Sequence, residues 1–314
     1  MQGVGSLTNS LSYLSTSNVN SMSLASSLPL LKIQTALTEA GAWAKDMARQ
    51  SFTVEQKGPE DFVTAIDRTL DRQLAEQFQT WFPEDGVITE ENAASIQNIN
   101  EGFSRLWLID PLDGTEDFIN RRPDYSIMVG LLQHEQPIAG WILRPESGQL
   151  FYGGADWGLF TTHGIKPPQP LVPSMTPGPS ASHCPMLLGD RDQRQYGTAI
   201  QTAIPEAQFY TLGSFGLKVL EVIQGRAGLY LYLNGRVKLW DTVGPLALAK
   251  CAGLVCCDLN GNPLQFSLDA LNPETLAHQQ SIVIGWPHYI EALLPRLQAA
   301  IATHQESAYE SAAR

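Results

Sequence analysis

Six residues, Asp110-Pro111-Leu112-Asp113-Gly114-Thr115, follow directly on the apolar run Leu106-Trp107-Leu108-Ile109. Such a run reads as a buried strand, and it delivers two carboxylates onto a turn that Pro opens and Gly closes. Such a turn can aim both acids at one point while leaving the backbone N–H groups of Gly114 and Thr115 free. Paired carboxylates are hard ligands suited to Mg²⁺, and amides beside them suit an anion. The pattern describes a metal-assisted phosphate site.

The rest of the composition narrows the partners. The chain has 314 residues, 43% of them hydrophobic, enough for a sizeable core in one large domain or two modest ones. A net charge of −12 argues against a nucleic-acid polymer recognised through its phosphates. An acidic protein that handles a phosphorylated metabolite must reverse its local sign, which bound cations do. Cys184, Cys251, Cys256 and Cys257 show no C-x-x-C spacing and read as free thiols of a reducing compartment. The six His residues form no pair that would house zinc.

Residues 1–28 are Ser/Asn-rich, carry no charged side chain and lack the basic start and apolar core of a signal peptide. They read as a disordered tail, with Met22 a candidate start. No run of about 18 apolar residues appears, so no membrane span is expected and the location reads as cytoplasmic.

Apolar positions recur at helical spacing from Leu30 to Met47. Phe62–Ile66 reads as a short strand or extended entry, with Asp67 as the N-cap of a helix through Gln79. Val87–Thr89, Ser126–Leu132, Ile138–Leu143 and Leu150–Gly153 read as strands of an antiparallel sheet. The Pro-dense stretch 166–180 reads as a connection between an N-terminal α+β half, 29–165, and a C-terminal α/β half, 181–305, with a flexible tail from 306 to 314. In the second half, strand-like Met186–Leu188, Phe209–Leu212, Leu229–Leu233 and Ser281–Ile284 alternate with helical Leu217–Gln224, Pro245–Ala252 and His288–Ala302.

Other acids sit at element ends, and each alone has a plain explanation. Asp67 and Asp241 can be helix caps, Glu90-Glu91 a solvated pair, and Asp113-Gly114 a hairpin turn. Their combination and order change the reading. Asp110–Thr115 with Phe118, Trp240-Asp241-Thr242-Val243-Gly244, Val63-Thr64-Ala65-Ile66-Asp67 and the pair Glu90-Glu91 together resemble the motifs of the inositol monophosphatase superfamily of Mg²⁺-dependent, lithium-sensitive phosphatases. The resemblance runs from about Leu30 to Ile301. The haloacid dehalogenase type is set aside, because its Asp-x-Asp-x-Thr places the acids two positions apart and this chain places them three apart.

The resemblance implies an α/β (α+β) chain with the layered αβαβα sugar-phosphatase fold, two or three Mg²⁺ ions, and a monomer or homodimer. It implies one ion held by Glu90, Asp110 and the carbonyl of Leu112, and a second held by Asp110, Asp113 and Asp241. The amides of Gly114 and Thr115 would bind phosphate, and Asp67, hydrogen-bonded to Thr115, would orient and deprotonate the attacking water. Direct in-line attack is implied, with no covalent phosphoenzyme. Two departures stand out: Thr89 precedes the Glu pair where Gly or Ser is common, and Glu116-Asp117 follow Asp-Gly-Thr where Lys, Thr or Asn is common.

Gly213–Lys218, Gln224-Gly225-Arg226-Ala227 and Lys238–Thr242 look like the branch that acts on adenosine 3′,5′-bisphosphate, with Lys218 near the phosphate that is not hydrolysed. A solvated helix lysine is the plain alternative for Lys218. The Ser-Arg-Ser-His stretch common in that branch is replaced by Gly189-Asp190-Arg191-Asp192. A bisphosphate nucleotidase therefore leads, followed by an inositol or other polyol phosphatase, then by a sugar bisphosphate or histidinol phosphate enzyme. An inactive regulatory family member and an acidic Ca²⁺-binding protein are weighed and set behind these, since every expected ligand position is filled and the acids are spread over the chain.

Overall fold

The computed structural model describes residues 28–58, 61–164 and 166–312. The tail expected over residues 1–28 lies outside these but for Leu28, which is buried. Helix α1 (Leu30–Met47) forms where the apolar period is helical and buries Ile33, Ala36, Leu37, Ala40 and Ala44 along one stripe. The hairpin β1 (Val54–Gly58) and β2 (Asp61–Thr64) leads into α2 (Ala65–Trp81). The cap of α2 is Thr64, whose hydroxyl accepts from the amides of Ile66 and Asp67, while Asp67 sits at the third helical position and accepts from Thr64 in return. Asp67 is thus one half of a capping box and not the N-cap that the sequence suggests. The buried stripe of α2 contains two acids, Asp67 and Asp71, among Ile66, Leu70, Leu74 and Phe78.

A seven-stranded sheet follows, ordered β3 (Gly86–Thr89), β4 (Arg105–Asp113), β5 (Ser126–Gln133), β6 (Gln136–Arg144), β7 (Gln149–Gly154), β8 (Gly158–His163) and β9 (Gln169–Pro170). Its pairs are antiparallel except β3 with β4, which run parallel with Thr89 opposite Ile109. That register carries the chain from Thr89 into Glu90 beside the start of the Asp110 motif. The short helix α3 (Thr115–Ile119) ends the motif. Part of the Pro-rich stretch forms the edge strand β9, a place where Pro's missing donor costs nothing.

The second half contributes β10 (Pro185–Leu188), α4 (Asp190–Ala203), β11 (Gln208–Tyr210), α5 (Phe215–Ile223), β12 (Leu229–Tyr232), α6 (Leu239–Cys251), β13 (Val255–Cys257), β14 (Ile282–Gly285) and α7 (Pro287–Ala312). Its sheet is ordered β11-β10-β12-β14-β13, parallel on the β11-β10-β12 side and antiparallel at β14. Helix α6 begins at Leu239, so Pro245 lies inside it, not at its start, and α7 continues to Ala312 through the segment read as a tail.

Two apolar clusters build the layers. Helices α1 and α2 bury Leu37, Leu70 and Phe78 against Trp107, Val129 and Trp141 of the seven-stranded sheet. The opposite face of that sheet, with Leu108, Met128 and Ile142, packs on Phe215, Val243 and Leu246 of α5 and α6. The same cluster continues through Met186, Tyr230 and Ile284 of the five-stranded sheet to Ile200 and Leu297 of α4 and α7. The result is helix, sheet, helix, sheet, helix. Among the described residues no helix is long and apolar enough to cross a membrane.

Helix α6 sits on the sheet backbone to backbone. A Cβ on Gly140 would stand 2.1 Å from the Gly244 carbonyl oxygen, and one on Gly130 2.4 Å from the Gly244 nitrogen. No backbone there can yield without moving the helix. Gly140→Ala is expected to lower stability by about 2–3 kcal/mol through overpacking, measured by urea unfolding. Gly197→Ala, inside α4 and against only a flexible Gln193 side chain, serves as the control and should be neutral or slightly stabilising.

Candidate active site

The Asp110 motif is shaped by a bulge. Asp110 pairs with Met128 and Asp113 with Ser126, so three steps on β4 oppose two on β5. In a regular strand, residues three apart point to opposite faces; the extra residue at Pro111-Leu112 brings both aspartates to the same face. The expected turn is therefore a bulge within β4, and the chain leaves the strand at Gly114, whose φ of 90° is left-handed.

Asp110, Asp113 and Asp241 offer oxygens that all lie within 4.8 Å of one another. Asp110 is buried and accepts from the Leu112 amide at 2.9 Å. Asp113 accepts from the Ser214 hydroxyl and from the Gly216 amide at 3.1 Å, at the start of α5. Asp241, on the first turn of α6, accepts from the Lys238 amide at 2.6 Å. Glu90 stands outside this tight trio but next to it. Its charge, after burial, is the largest influence raising the Asp110 carboxyl well above the usual range, followed by Asp113 and Asp241. The Lys238 ammonium lies 4.0 Å from Glu90.

Asp67 is brought to the same end of the sheet. One of its oxygens is held by the Thr64 amide at 2.8 Å and by the Thr64 hydroxyl; the other faces the Thr115 hydroxyl at 3.2 Å. Thr115 also reaches the Leu112 carbonyl at 3.0 Å, so its single proton is shared between two acceptors. Burial raises Asp67 to about 6, against the pull of its Thr64 hydrogen bonds. Asp113 is raised to about 7 by burial and then by Asp241. Several hard oxygens crowded together, with burial raising Asp67, Asp110 and Asp113, fit a divalent cation of the Mg²⁺ type.

Gly114 and Lys238, which flank the carboxylates, also line a cleft of about 760 Å³. Lys218 forms part of its wall, 6% exposed, with its ammonium 3.2 Å from the Gly213 carbonyl and 5.5 Å from the centre of the Tyr230 ring. It is thus not a solvated lysine. The cleft lining carries six lysines and arginines against four carboxylates, a local excess of positive charge in a protein of net charge −12. Glu116 is exposed on this wall, whereas Asp117 is buried and bound to the Gly213 amide and Arg122.

Some neighbours of the carboxylates escape the motifs. Ser214 caps α5 through the Leu217 amide at 3.0 Å and gives its proton to Asp113, so Ser126, 2.8 Å away, donates to Ser214. A serine directly before an apolar helical run was the available signal. His278, 1% exposed, is 2.8 Å from the Thr242 hydroxyl behind Asp241, and burial lowers it to about 4, so it is neutral. Nothing in the sequence ties these two residues together.

This chain matches the inositol monophosphatase family over residues 27–307. It is 28% identical over 205 residues to a protein of Aquifex aeolicus named fructose-1,6-bisphosphatase/inositol-1-monophosphatase, covering 64% of this chain and 73% of that one. It is 28% identical over 229 residues to the 3′(2′),5′-bisphosphate nucleotidase CysQ of Aggregatibacter actinomycetemcomitans, covering 73% and 84%. The solved structure of a Thermotoga maritima IMPase superposes with a TM-score of 0.69 at 20% identity, over 88% of this chain and 98% of that one. The chain belongs to the inositol monophosphatase family. It is a phosphatase, a hydrolase of phosphoric monoesters.

The pH dependence of stability follows from the raised carboxyls. A carboxyl whose folded pKa lies above its unfolded value stabilises the fold below the unfolded value, and that contribution is lost as pH rises through the folded one. With Asp67 raised to about 6 and Asp113 to about 7 from 3.8, the cation-free protein should lose stability between those limits. Melting without divalent cations is expected at a temperature roughly 5 °C lower near pH 8 than near pH 5, and millimolar Mg²⁺ should close most of that gap at the higher pH. Differential scanning calorimetry checks both, and Asp113→Asn should flatten the fall.

Proposed function

We propose that this phosphatase is Mg²⁺-dependent and acts on a nucleotide 3′(2′),5′-bisphosphate, releasing one phosphate from a substrate such as adenosine 3′,5′-bisphosphate. The observation that carries this reading is the cationic cleft beside the three-carboxylate cluster, because a second phosphate on the leaving group needs positive charge that a polyol does not. The relative named as a bisphosphate nucleotidase supports it. A cytoplasmic location and a small metabolite as partner belong to the same reading.

Glu90, Asp110, Asp113, Asp241 and the Leu112 carbonyl would hold two or three Mg²⁺ ions. When bound, Mg²⁺ supplies the positive charge that a phosphate ester and its attacking water require. The Asp67 carboxylate, whose Thr64 side is fixed by the capping box, takes the proton of the attacking water; a base titrating near neutral pH is matched to that task. Thr115 orients Asp67 through its hydroxyl, and the amides of Gly114 and Thr115 hold oxygens of the hydrolysed phosphate. Lys218, set in the cleft wall by the Gly213 carbonyl, faces the phosphate that stays on the product.

A second reading, an inositol or other polyol phosphatase, draws on the segment at the start of α4. There Asp192 is fully buried and accepts from the Leu233 amide at 2.8 Å, and no His stands in Gly189–Asp192 to meet a nucleotide, although Asp190 and Arg191 line the cleft. The name of the Aquifex aeolicus relative is consistent with it.

Phosphate release from adenosine 3′,5′-bisphosphate and inositol 1-phosphate, measured side by side with Mg²⁺, decides between them. The expected preference for the nucleotide is about 100-fold in kcat/KM, roughly 2.7 kcal/mol of discrimination; the reverse preference overturns the substrate assignment. Asp113→Asn should lower kcat by roughly 1,000-fold or more with the fold intact, since an amide keeps the acceptor for Ser214 and Gly216 but loses the charge. Lys218→Met should raise KM about tenfold for the nucleotide and leave inositol 1-phosphate unaffected.

A further inference from the structure

Of the two carboxylates on the buried stripe of α2, only Asp67 has a place in the chemistry above. Asp71 lies one helical turn further on, 5% exposed, between the buried Leu70 and Leu74. A carboxylate in such surroundings is costly unless its oxygens are hydrogen-bonded. One oxygen accepts from the Thr89 hydroxyl at 2.9 Å and the other from the Glu91 amide at 3.1 Å. The two donors belong to the residues on either side of Glu90. The same backbone is fixed elsewhere too: the Thr89 amide donates to Ser95 at 3.0 Å, and the Glu90 amide to the Ile109 carbonyl at 3.2 Å. These four hydrogen bonds hold the main chain on both sides of Glu90.

We infer that Asp71 is a positioning residue for the metal centre: through Thr89 and Glu91 it fixes the Glu90 backbone, so that the Glu90 carboxylate stands beside Asp110 before a cation arrives. This rests on the reading of Glu90 as a Mg²⁺ ligand. The physical need is clear. Glu90 and the three aspartates repel one another, and a chain end left loose at Glu90 would relax away from Asp110. The cation would then have to bear the ordering cost of bringing it back. Holding the peptide from the helix removes that cost in advance. Thr89, which departs from the Gly or Ser common before the Glu pair, supplies one of the two donors. Helix α2 thus sets both the base, at Asp67, and the backbone of a ligand, at Glu90, from a single rigid element.

Isothermal titration calorimetry of Mg²⁺ binding, with turnover measured across Mg²⁺ concentrations, tests this. Asp71→Leu keeps the branched shape of the side chain, at a larger volume, and removes both acceptors; Thr89→Val removes one donor with almost no change in shape and keeps the test decisive should Asp71→Leu fail to fold. The expected Mg²⁺ dissociation constant rises about 10–100-fold in Asp71→Leu and several-fold in Thr89→Val. Turnover at saturating Mg²⁺ should stay within about threefold of wild type, and Thr89→Ser should restore wild-type affinity. Unchanged Mg²⁺ affinity in the folded variants overturns the proposal, as does a turnover loss that saturating Mg²⁺ does not recover. Failure of the wild-type protein itself to bind Mg²⁺ is a separate result, visible before any variant is made, and overturns the reading of the metal site together with this one.

Discussion

Helix α6 reaches the aspartates of β4 only because no side chain stands between its backbone and the sheet. Gly130, Gly140 and Gly244 meet with their backbones nearly touching, and Asp241 lies one turn before Gly244 on the same helix. The depth of that contact sets how far Asp241 advances towards Asp110 and Asp113. A methyl group in the contact lifts the helix, and the third carboxylate withdraws with it. Apolar packing supplies the force that holds the helix down. Trp240, Val243, Leu246 and Leu248 are all buried, and each contributes on the order of 1.5–3 kcal/mol. Repulsion among the acids opposes it.

The carboxylate cluster is therefore a strained feature of an otherwise well-packed fold. Its members accept hydrogen bonds from the backbone amides of Leu112, Gly216 and Lys238, and these offset part of the burial cost without neutralising any charge. The arrangement is paid for by the surrounding core and is useful only when positive charge enters it. Nearby cations are kept at the margins, with Lys238 at 4.0 Å from Glu90 and Lys218 held by Gly213. Protein cations thus shape the cleft, and the three aspartates could hold a metal ion between them.

The sequence made the α1 helix, the central strands and the carboxylates of the site legible because each is a local pattern: an apolar period, an apolar run, or acids at a fixed spacing. The failures came where a tertiary partner decides. Pro111 reads as the opening of a turn, but pairing with β5 keeps the chain in the sheet and converts the turn to a bulge. Asp67 has the chemistry of a cap, yet Thr64 one turn earlier takes the cap and leaves Asp67 to answer it. Pro245 normally marks a helix start, and buried packing on both sides carries α6 through it. Helix α4 was missed because its first turns are dominated by charge, Asp190-Arg191-Asp192, with few apolar positions to reveal a period. Asp71 and His278 act through partners 18 and 36 residues away, a distance no local pattern spans.

The loop before α5 is stitched to the end of β4, to α3 and to the loop after α3. Asp113 takes hydrogen bonds from Ser214 and Gly216, the Asp124 carbonyl takes one from the Ser214 amide at 2.9 Å, and Asp117 takes one from Gly213. Lys218 stands one turn into the helix that this loop begins. The ammonium and the carboxylates consequently share one frame, with no hinge between them. The molecule carries a ruler: two charges of opposite sign at a set separation, graduated in backbone geometry. On the proposed bisphosphate reading, a ligand would be admitted by the span between its own charged groups, and a change of loop length between Asp113 and Lys218 would alter that span without touching either residue.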